Sequence, residues 1–238
     1  MKNSINQTAR IGGVLYLVLI VVGLFSVLII KDRFIVSGDV TATANHIIRS
    51  QFLWRMALVA DLIMHVLDIP IMLIIYLLLK PVNKNLALLA LLFTLIQTAV
   101  LVANNLNLYA ALIPLEDKEY LKNLDQNALH VQAYLSLKLN DIGFKVGLIF
   151  FGCACLINGY LIFKSGYLPK LIGVLIQVAG LCYLINSLLG LLEPAAAKIL
   201  FIIPCLVAEL SFCLWLIVKG VNVDKWQQKV NALQVNAE

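Results

Sequence analysis

The chain has 238 residues, of which 62% are hydrophobic and 13% charged. Soluble globular domains run at roughly 45–50% apolar and about 25% charged, so a water-soluble core of this size cannot hide the apolar surface, and lipid is the solvent that accepts it. The formal net charge is +5 without any dense Lys/Arg block, which argues against nucleic-acid binding, because a footprint on phosphates needs clustered positive charge.

The expected fold class is all-α: a polytopic transmembrane bundle of six spans forming one integral membrane domain over residues 1–238, with the lipid bilayer as its first partner. A run of about 20 apolar residues crosses the hydrocarbon, and six such runs occur in order. Lys2 and Arg10 precede the first, Ile11–Ile30. That run is too long for the apolar core of a signal peptide and no small-residue cleavage site follows it, so it reads as an uncleaved span. In the connection 31–51, Ser37-Gly38-Asp39 is a turn and helix cap. Val40, Ala44, Ile47 and Ile48 then recur at helical spacing, predicting a short helix on the membrane surface.

The second span is Phe52–Leu79, the tight polar turn Lys80–Asn85 follows, and the third span is Leu86–Ile113. Segment 114–142 opens with Glu116, Asp117, Lys118 and Glu119. Leu121, Leu124, Leu129, Tyr134 and Leu135 then give a rough helical stripe, predicting a surface helix that leads into the fourth span, Gly143–Phe163. The turn 164–170 leads to the fifth span, Leu168–Leu192. Glu193-Pro194 breaks the chain before the sixth, Ile199–Val218. In the tail, Trp226 between Lys225 and Lys229 fits an interfacial anchor.

Six spans put both termini on one side. That side collects Lys2, Arg10, Lys80, Lys84, Lys164, Lys170, Lys219, Lys225 and Lys229. The other collects an equal number of cations, among them Lys31, Arg33, Lys118 and Lys198, but in longer segments interleaved with acids. The short acid-free turns of the first side decide the tie, and the expectation is that both termini are cytoplasmic.

Span two carries the chemistry. Asp61, His65 and Asp68 are spaced i, i+4, i+7 and share one helix face. A mid-span aspartate costs about 2.5–3.5 kcal/mol on insertion scales, so each must pair, hydrogen-bond, take up a proton or face water. Pro70 frees a backbone carbonyl one turn earlier, near Val66. Glu209 of span six reaches a depth of about 15 Å, close to the roughly 13 Å of Asp61. Gln97 and Gln177 fall near the midplane, and Asn104, Asn105 and Asn107 lie towards the outer end of span three. Arg55 and Lys145 are candidate counter-ions at the outer mouths, although Arg55, six residues before Asp61, points to another face.

Two readings stay open for Asp61, His65, Asp68, Glu209, Gln97 and Gln177. One is a polar pocket that binds or moves a small molecule, ion or proton; the other is a hydrogen-bonded lock between helices. No metal site is expected: His65 is the single histidine in a span, and zinc asks for more nitrogen or sulfur. Cys153 and Cys155, two residues apart, point about 200° apart on a helix. With Cys182, Cys205 and Cys213 they read as small apolar residues. No nucleophile elbow, Walker loop or dinucleotide fingerprint is present, so no catalytic residue and no cofactor is nominated. An intramembrane enzyme acting on lipid is the weakest alternative.

Several stretches together resemble one family. They include Ala9-Arg10-Ile11-Gly12-Gly13, Ala60-Asp61-Leu62-Ile63-Met64, Pro81-Val82-Asn83-Lys84-Asn85-Leu86, Phe150-Phe151-Gly152, Gly159–Pro169, Glu209-Leu210 and Leu214-Trp215-Leu216. The chain is similar over nearly its whole length to the multi-pass family called domain of unknown function 4386. The resemblance implies a bacterial inner-membrane protein without an established activity. Asp61, Asp68 and Glu209 match acidic positions of that pattern, whereas His65 stands where an apolar residue is expected. Neither the ligand nor an oligomeric state follows from it.

Overall fold

The computed structural model describes residues 2–27, 33–193 and 202–235. The last turn of the first expected span, Lys31, Asp32, Pro194, Lys198 and the first residues of the sixth expected span lie outside them. The helices are α1 (Lys2–Val27), α2 (Val40–Arg49), α3 (Gln51–Leu79), α4 (Lys84–Leu112), α5 (Gln126–Ser165), α6 (Lys170–Leu192), α7 (Ile202–Val218) and α8 (Val223–Val235), with single 3-10 turns at Ile113–Leu115 and Glu119–Leu121. No strand occurs among the described residues. Five helices are long and apolar enough to cross a membrane, or six if α7 and α8, bent by 98° at their junction, count as one more.

Side chains start the helices where the sequence places polar residues before apolar runs. Asp39 accepts a hydrogen bond from Ala42 N (2.8 Å), Asn83 from Leu86 N (3.0 Å), Asp125 from Ala128 N (2.9 Å) and Asn222 from Lys225 N (3.1 Å). Gly166 and Gly220, with φ of +76° and +64°, follow the ends of α5 and α7, where an L side chain would be strained.

The fourth span departs from expectation in its bounds. The helix foreseen within 114–142 does form, but it is continuous with the span as the 40-residue α5. At 1.5 Å per residue α5 is about 60 Å long, twice the roughly 30 Å hydrocarbon. Lys138, Asn140, Asp141 and Lys145 look like a membrane boundary in the sequence, but no proline separates Gln126 from Ser165. Polar residues alone do not stop a helix.

The chain packs as two compact units, Met1–Leu19 with Leu67–Thr98 and Lys145–Glu238, and Ile20–Val66 with Ala99–Phe144. The smaller unit, the second of these, has its own core of Phe34, Ile47, Trp54, Leu58 and Leu112. Trp54 is fully buried, meets Phe34 edge-on at 5.2 Å, and donates its indole N–H to Leu108 O at 3.4 Å. α2 lays its Thr43, Ala44 and Ile47 face into this unit, which explains the periodicity that marked it.

In the larger unit, α5 and α6 approach through paired glycines. A Cβ at Gly159 would stand 2.6 Å from Gly173 O, and one at Gly180 would stand 2.8 Å from Gly152 O. Close backbone approach through small residues is the ordinary way helices associate where lipid removes the hydrophobic drive. One end of this unit is tied by hydrogen bonds between turns. Leu78 O accepts from Tyr167 Oη (2.7 Å) and from Trp226 Nε1 (3.2 Å), Tyr167 O accepts from Asn222 N (3.2 Å), and Asn6 Oδ1 accepts from Val221 N (3.1 Å). The start of α1 and the α3–α4, α5–α6 and α7–α8 turns therefore meet. Burial pushes the Tyr167 phenol well above its ordinary range. Trp226, expected as a lipid-interface anchor, spends its N–H on the protein.

Candidate functional site

Asp61 and His65 stand on α3 within the smaller unit. The Asp61 carboxylate accepts from Asn105 Nδ2 at 2.6 Å and from Ser26 Oγ at 3.4 Å, and His65 Nε2 lies 3.5 Å from its Oδ2. His65 is buried (3% exposed), while the Asp61 side chain keeps 21% of its surface. A largely buried aspartate is tolerable here because donors from α1 and α4 reach it and the His65 imidazole of α3 lies alongside.

The exposed part of Asp61 opens on a cavity of about 300 Å³. α4 contributes Leu101, Asn104 and Leu108 to its wall. α5 contributes Tyr134, Leu137, Lys138, Asp141 and Phe144, spaced as one helix face, together with Asn140. Asn104 and Asn140 clamp the two helices reciprocally: Asn104 Nδ2 donates to Asn140 O (2.9 Å) and Asn140 Nδ2 to Asn104 O (3.2 Å). Gly143 leaves room for the Asn104 amide. Tyr134 Oη accepts from Gly38 N (3.1 Å), and Lys138 Nζ sits over the Tyr134 ring, 5.1 Å from its centroid. A cavity with an apolar wall and a few convergent polar groups is the usual form of a small-molecule site.

Asp68, Gln97, Gln177 and Glu209 belong to the larger unit. Asp68 Oδ2 accepts from Thr98 Oγ1 at 3.2 Å. Glu209 on α7 accepts from the phenol of Tyr183 on α6 and lies within hydrogen-bonding reach of Tyr16 on α1. Tyr16 in turn packs edge-on against Phe212, with centroids 6.4 Å apart. Gln97 is buried, and its Oε1 has no hydrogen-bond partner among the described residues. Gln177 lies against Gly159 at the α5–α6 approach. Of the two candidate counter-ions, Arg55 is ion-paired with Glu116, and Lys145 belongs to the larger unit. No group of three or more His, Cys, Asp or Glu side chains that could hold a metal occurs among the described residues.

A family model described as Domain of unknown function (DUF4386) matches residues 11–220. The chain belongs to this family. A similar protein from Archaeoglobus fulgidus, named only as an uncharacterized protein, is 29% identical over 160 residues, covering 67% of this chain and 81% of the relative. No solved structure matches. For this DUF4386 chain, therefore, the case for a function rests on the geometry of its own side chains.

The sequence marks Asp61 and His65 as candidates but not most of their surroundings. Ser26 looks like an ordinary small residue of span one. Tyr134 falls on the expected surface-helix stripe of segment 114–142, and Lys138, Asn140 and Asp141 follow in the same segment without any mark of a pocket wall. The usable signal was the polar run Asn104-Asn105-Leu106-Asn107 inside an apolar span: buried amides need partners, and a second helix bearing Asn140 supplies them. Tyr16 and Tyr183 were missed because a tyrosine in a span is unremarkable until it is seen to meet an acid.

Proposed function

We propose that this protein is a membrane-embedded binding protein for a small solute, with the cavity beside Asp61 as its site and Asp61 as the anchor. The observation that carries this reading is the partly exposed carboxylate, held by Ser26 and Asn105 with His65 alongside, at the wall of a cavity of about 300 Å³ with apolar sides. A carboxylate serving only as a lock is expected to be closed off by its partners. The bacterial inner membrane, with both termini in the cytoplasm, is the setting we propose for it. The acid-free basic turns around Lys80, Lys84, Lys164, Lys170 and Lys219 support that orientation.

The lock reading is favoured for Glu209. Its carboxylate is taken up by Tyr183, with Tyr16 in reach, so that residues from α1, α6 and α7 are joined through one side chain.

Thiol labelling tests the binding reading. In lipid nanodiscs, Asp61→Cys should react with a small hydrophilic methanethiosulfonate at least tenfold faster than the buried native Cys155, Cys205 and Cys213. Leu137→Trp, which fills the cavity, should slow that reaction. An Asp61→Cys thiol as inert as the native buried ones means no solute reaches the cavity, and the proposal fails.

A further inference from the structure

We infer that one end of the larger unit is a docking surface for anionic phospholipid headgroups, which it takes in preference to zwitterionic ones. The inference rests on the membrane setting proposed above and not on the Asp61 cavity, so the two readings fail separately.

Folding gathers cations that lie far apart in the chain. The hydrogen bonds among Leu78, Tyr167, Asn222 and Trp226, with Asn6 on Val221 N, draw the start of α1 and three turns into one knot. Lys80 and Lys84 border the knot in the α3–α4 turn, and Lys164 and Lys170 in the α5–α6 turn. Lys219 opens the α7–α8 turn and Lys225 follows it. Lys229 comes one turn later on α8, and Arg10 one turn after Asn6 on α1. All of these but the half-buried Lys80 are exposed.

Within the protein this charge is not answered. Asp224 is the one acid at this end among the described residues. The other described acids of the unit stand elsewhere: Asp68 and Glu209 in the middle of α3 and α7, and Glu193 at the far end of α6. Ion pairs such as Arg55 with Glu116 and Lys122 with Glu119 belong to the smaller unit, and none of the eight gathered side chains makes one among the described residues. Like charges brought together repel, and each ammonium keeps three donors to give. The complement of such a face is an array of anions.

Position identifies the anion as lipid. α8 turns off α7 by 98° and so runs across the end of the unit. Its half-buried residues Val223, Trp226 and Val230 recur at helical spacing, while Lys225 and Lys229 are exposed. A helix lying at about a right angle to a span, seated on one face and basic on the other, is placed at headgroup depth. The rim agrees. Lys164 Nζ lies over the Tyr160 ring, 6.0 Å from its centroid, and Lys170 Nζ over the Phe163 ring at 5.5 Å. Tyr160 is 45% exposed, little more than one turn before α5 ends. These ammonium groups therefore extend along the flank of the helix, where long cationic side chains meet headgroups with their stems on apolar surface. An anionic leaflet attracts lysines over about a Debye length. A soluble acidic partner would cover the end face and leave the flank unmet.

The test titrates the full-length protein in dodecyl maltoside with dioleoylphosphatidylglycerol and with dioleoylphosphatidylcholine, which share acyl chains and differ in headgroup charge. Retained lipid is counted by native mass spectrometry. Phosphatidylglycerol should bind at least tenfold more tightly, and the preference should shrink at least threefold when salt is raised to about 0.5 M. A variant carrying Lys164→Gln, Lys170→Gln, Lys225→Gln and Lys229→Gln should lose the preference, and the same four positions changed to Arg should keep it. Lys118→Gln with Lys122→Gln, in the smaller unit, should leave it unchanged. Equal retention of the two lipids overturns the assignment. So does a preference that survives the four glutamines, or one that falls as far in the Lys118 and Lys122 variant. Should the four-glutamine variant not fold, the salt series decides, and a preference indifferent to salt overturns the assignment. An excess of poly-L-glutamate should leave phosphatidylglycerol in place; its displacement would give the face to a soluble acidic partner and remove the lipid.

Discussion

Gly173→Ala is a sharp test of the α5–α6 interface, because two physical effects of known size oppose each other there. Alanine is the better helix former by about 1 kcal/mol, so a glycine with open space around it gains stability on substitution. At Gly173 the added Cβ would stand 2.6 Å from Phe163 N, 2.7 Å from Gly159 O and 2.9 Å from Phe163 Cα, all of them backbone atoms that cannot rotate away. Ordinary contact begins at 3.4 Å, so the helices must open by roughly 0.8 Å. A gap of that order forfeits about a quarter to a half of each dispersion contact it crosses, and overpacking typically costs about 1–3 kcal/mol.

After the gain in propensity, the net loss is up to about 2 kcal/mol, or up to roughly 8 °C in Tm for a chain of this size. Gly23→Ala is the control. Its Cβ meets only Met64 Sδ at 2.7 Å, with the next atom 4.0 Å away, and a methionine side chain can swing aside. Its Tm should stay within about 2 °C of wild type. Unfolding is followed in mild detergent with a fluorogenic maleimide, since Cys155, Cys205 and Cys213 are buried in the fold and become reactive on opening. A Gly173→Ala protein that melts at or above the wild-type temperature, or no lower than Gly23→Ala, would refute the close approach.

Two further outcomes follow from the hydrogen bonds. Tyr167→Phe and Trp226→Phe each remove a donor from Leu78 O and should each cost about 0.5–1.5 kcal/mol. Because the loss of either donor leaves the other to satisfy the one carbonyl, the double variant should lose more than the sum, and strict additivity in the cycle would count against the shared acceptor. Glu209→Leu strands the Tyr183 phenol and should cost roughly 1–3 kcal/mol. Glu209→Gln, which still accepts, should sit near wild type in the same melt, and equal melting of the two variants would remove the lock.

The long apolar helices were legible because hydrophobic run length is a local property of the chain. Composition, the six apolar runs, the cap at Asp39, the polar turn Lys80–Asn85 and the α2 stripe all appear in neighbouring residues. The reach of α5 was not legible. Lys138, Asn140 and Asp141 suit an aqueous loop as well as a pocket wall, and only packing against Asn104 shows which.

The cluster drawn from spacing alone has the same lesson. Asp61 and Asp68 share a helix face, yet Asp61 finds Asn105 and Ser26 in one compact unit, while Asp68 finds Thr98 and Glu209 finds Tyr183 in the other. By itself the sequence determined the apolar composition, the helical class and the presence of acids that demand compensation, because these depend on each residue's own transfer energy. The tertiary structure decided which partner compensates each acid and which acid is left partly open to a cavity, because hydrogen bonds form between helices far apart in the chain and helical spacing carries no information about a neighbour's face.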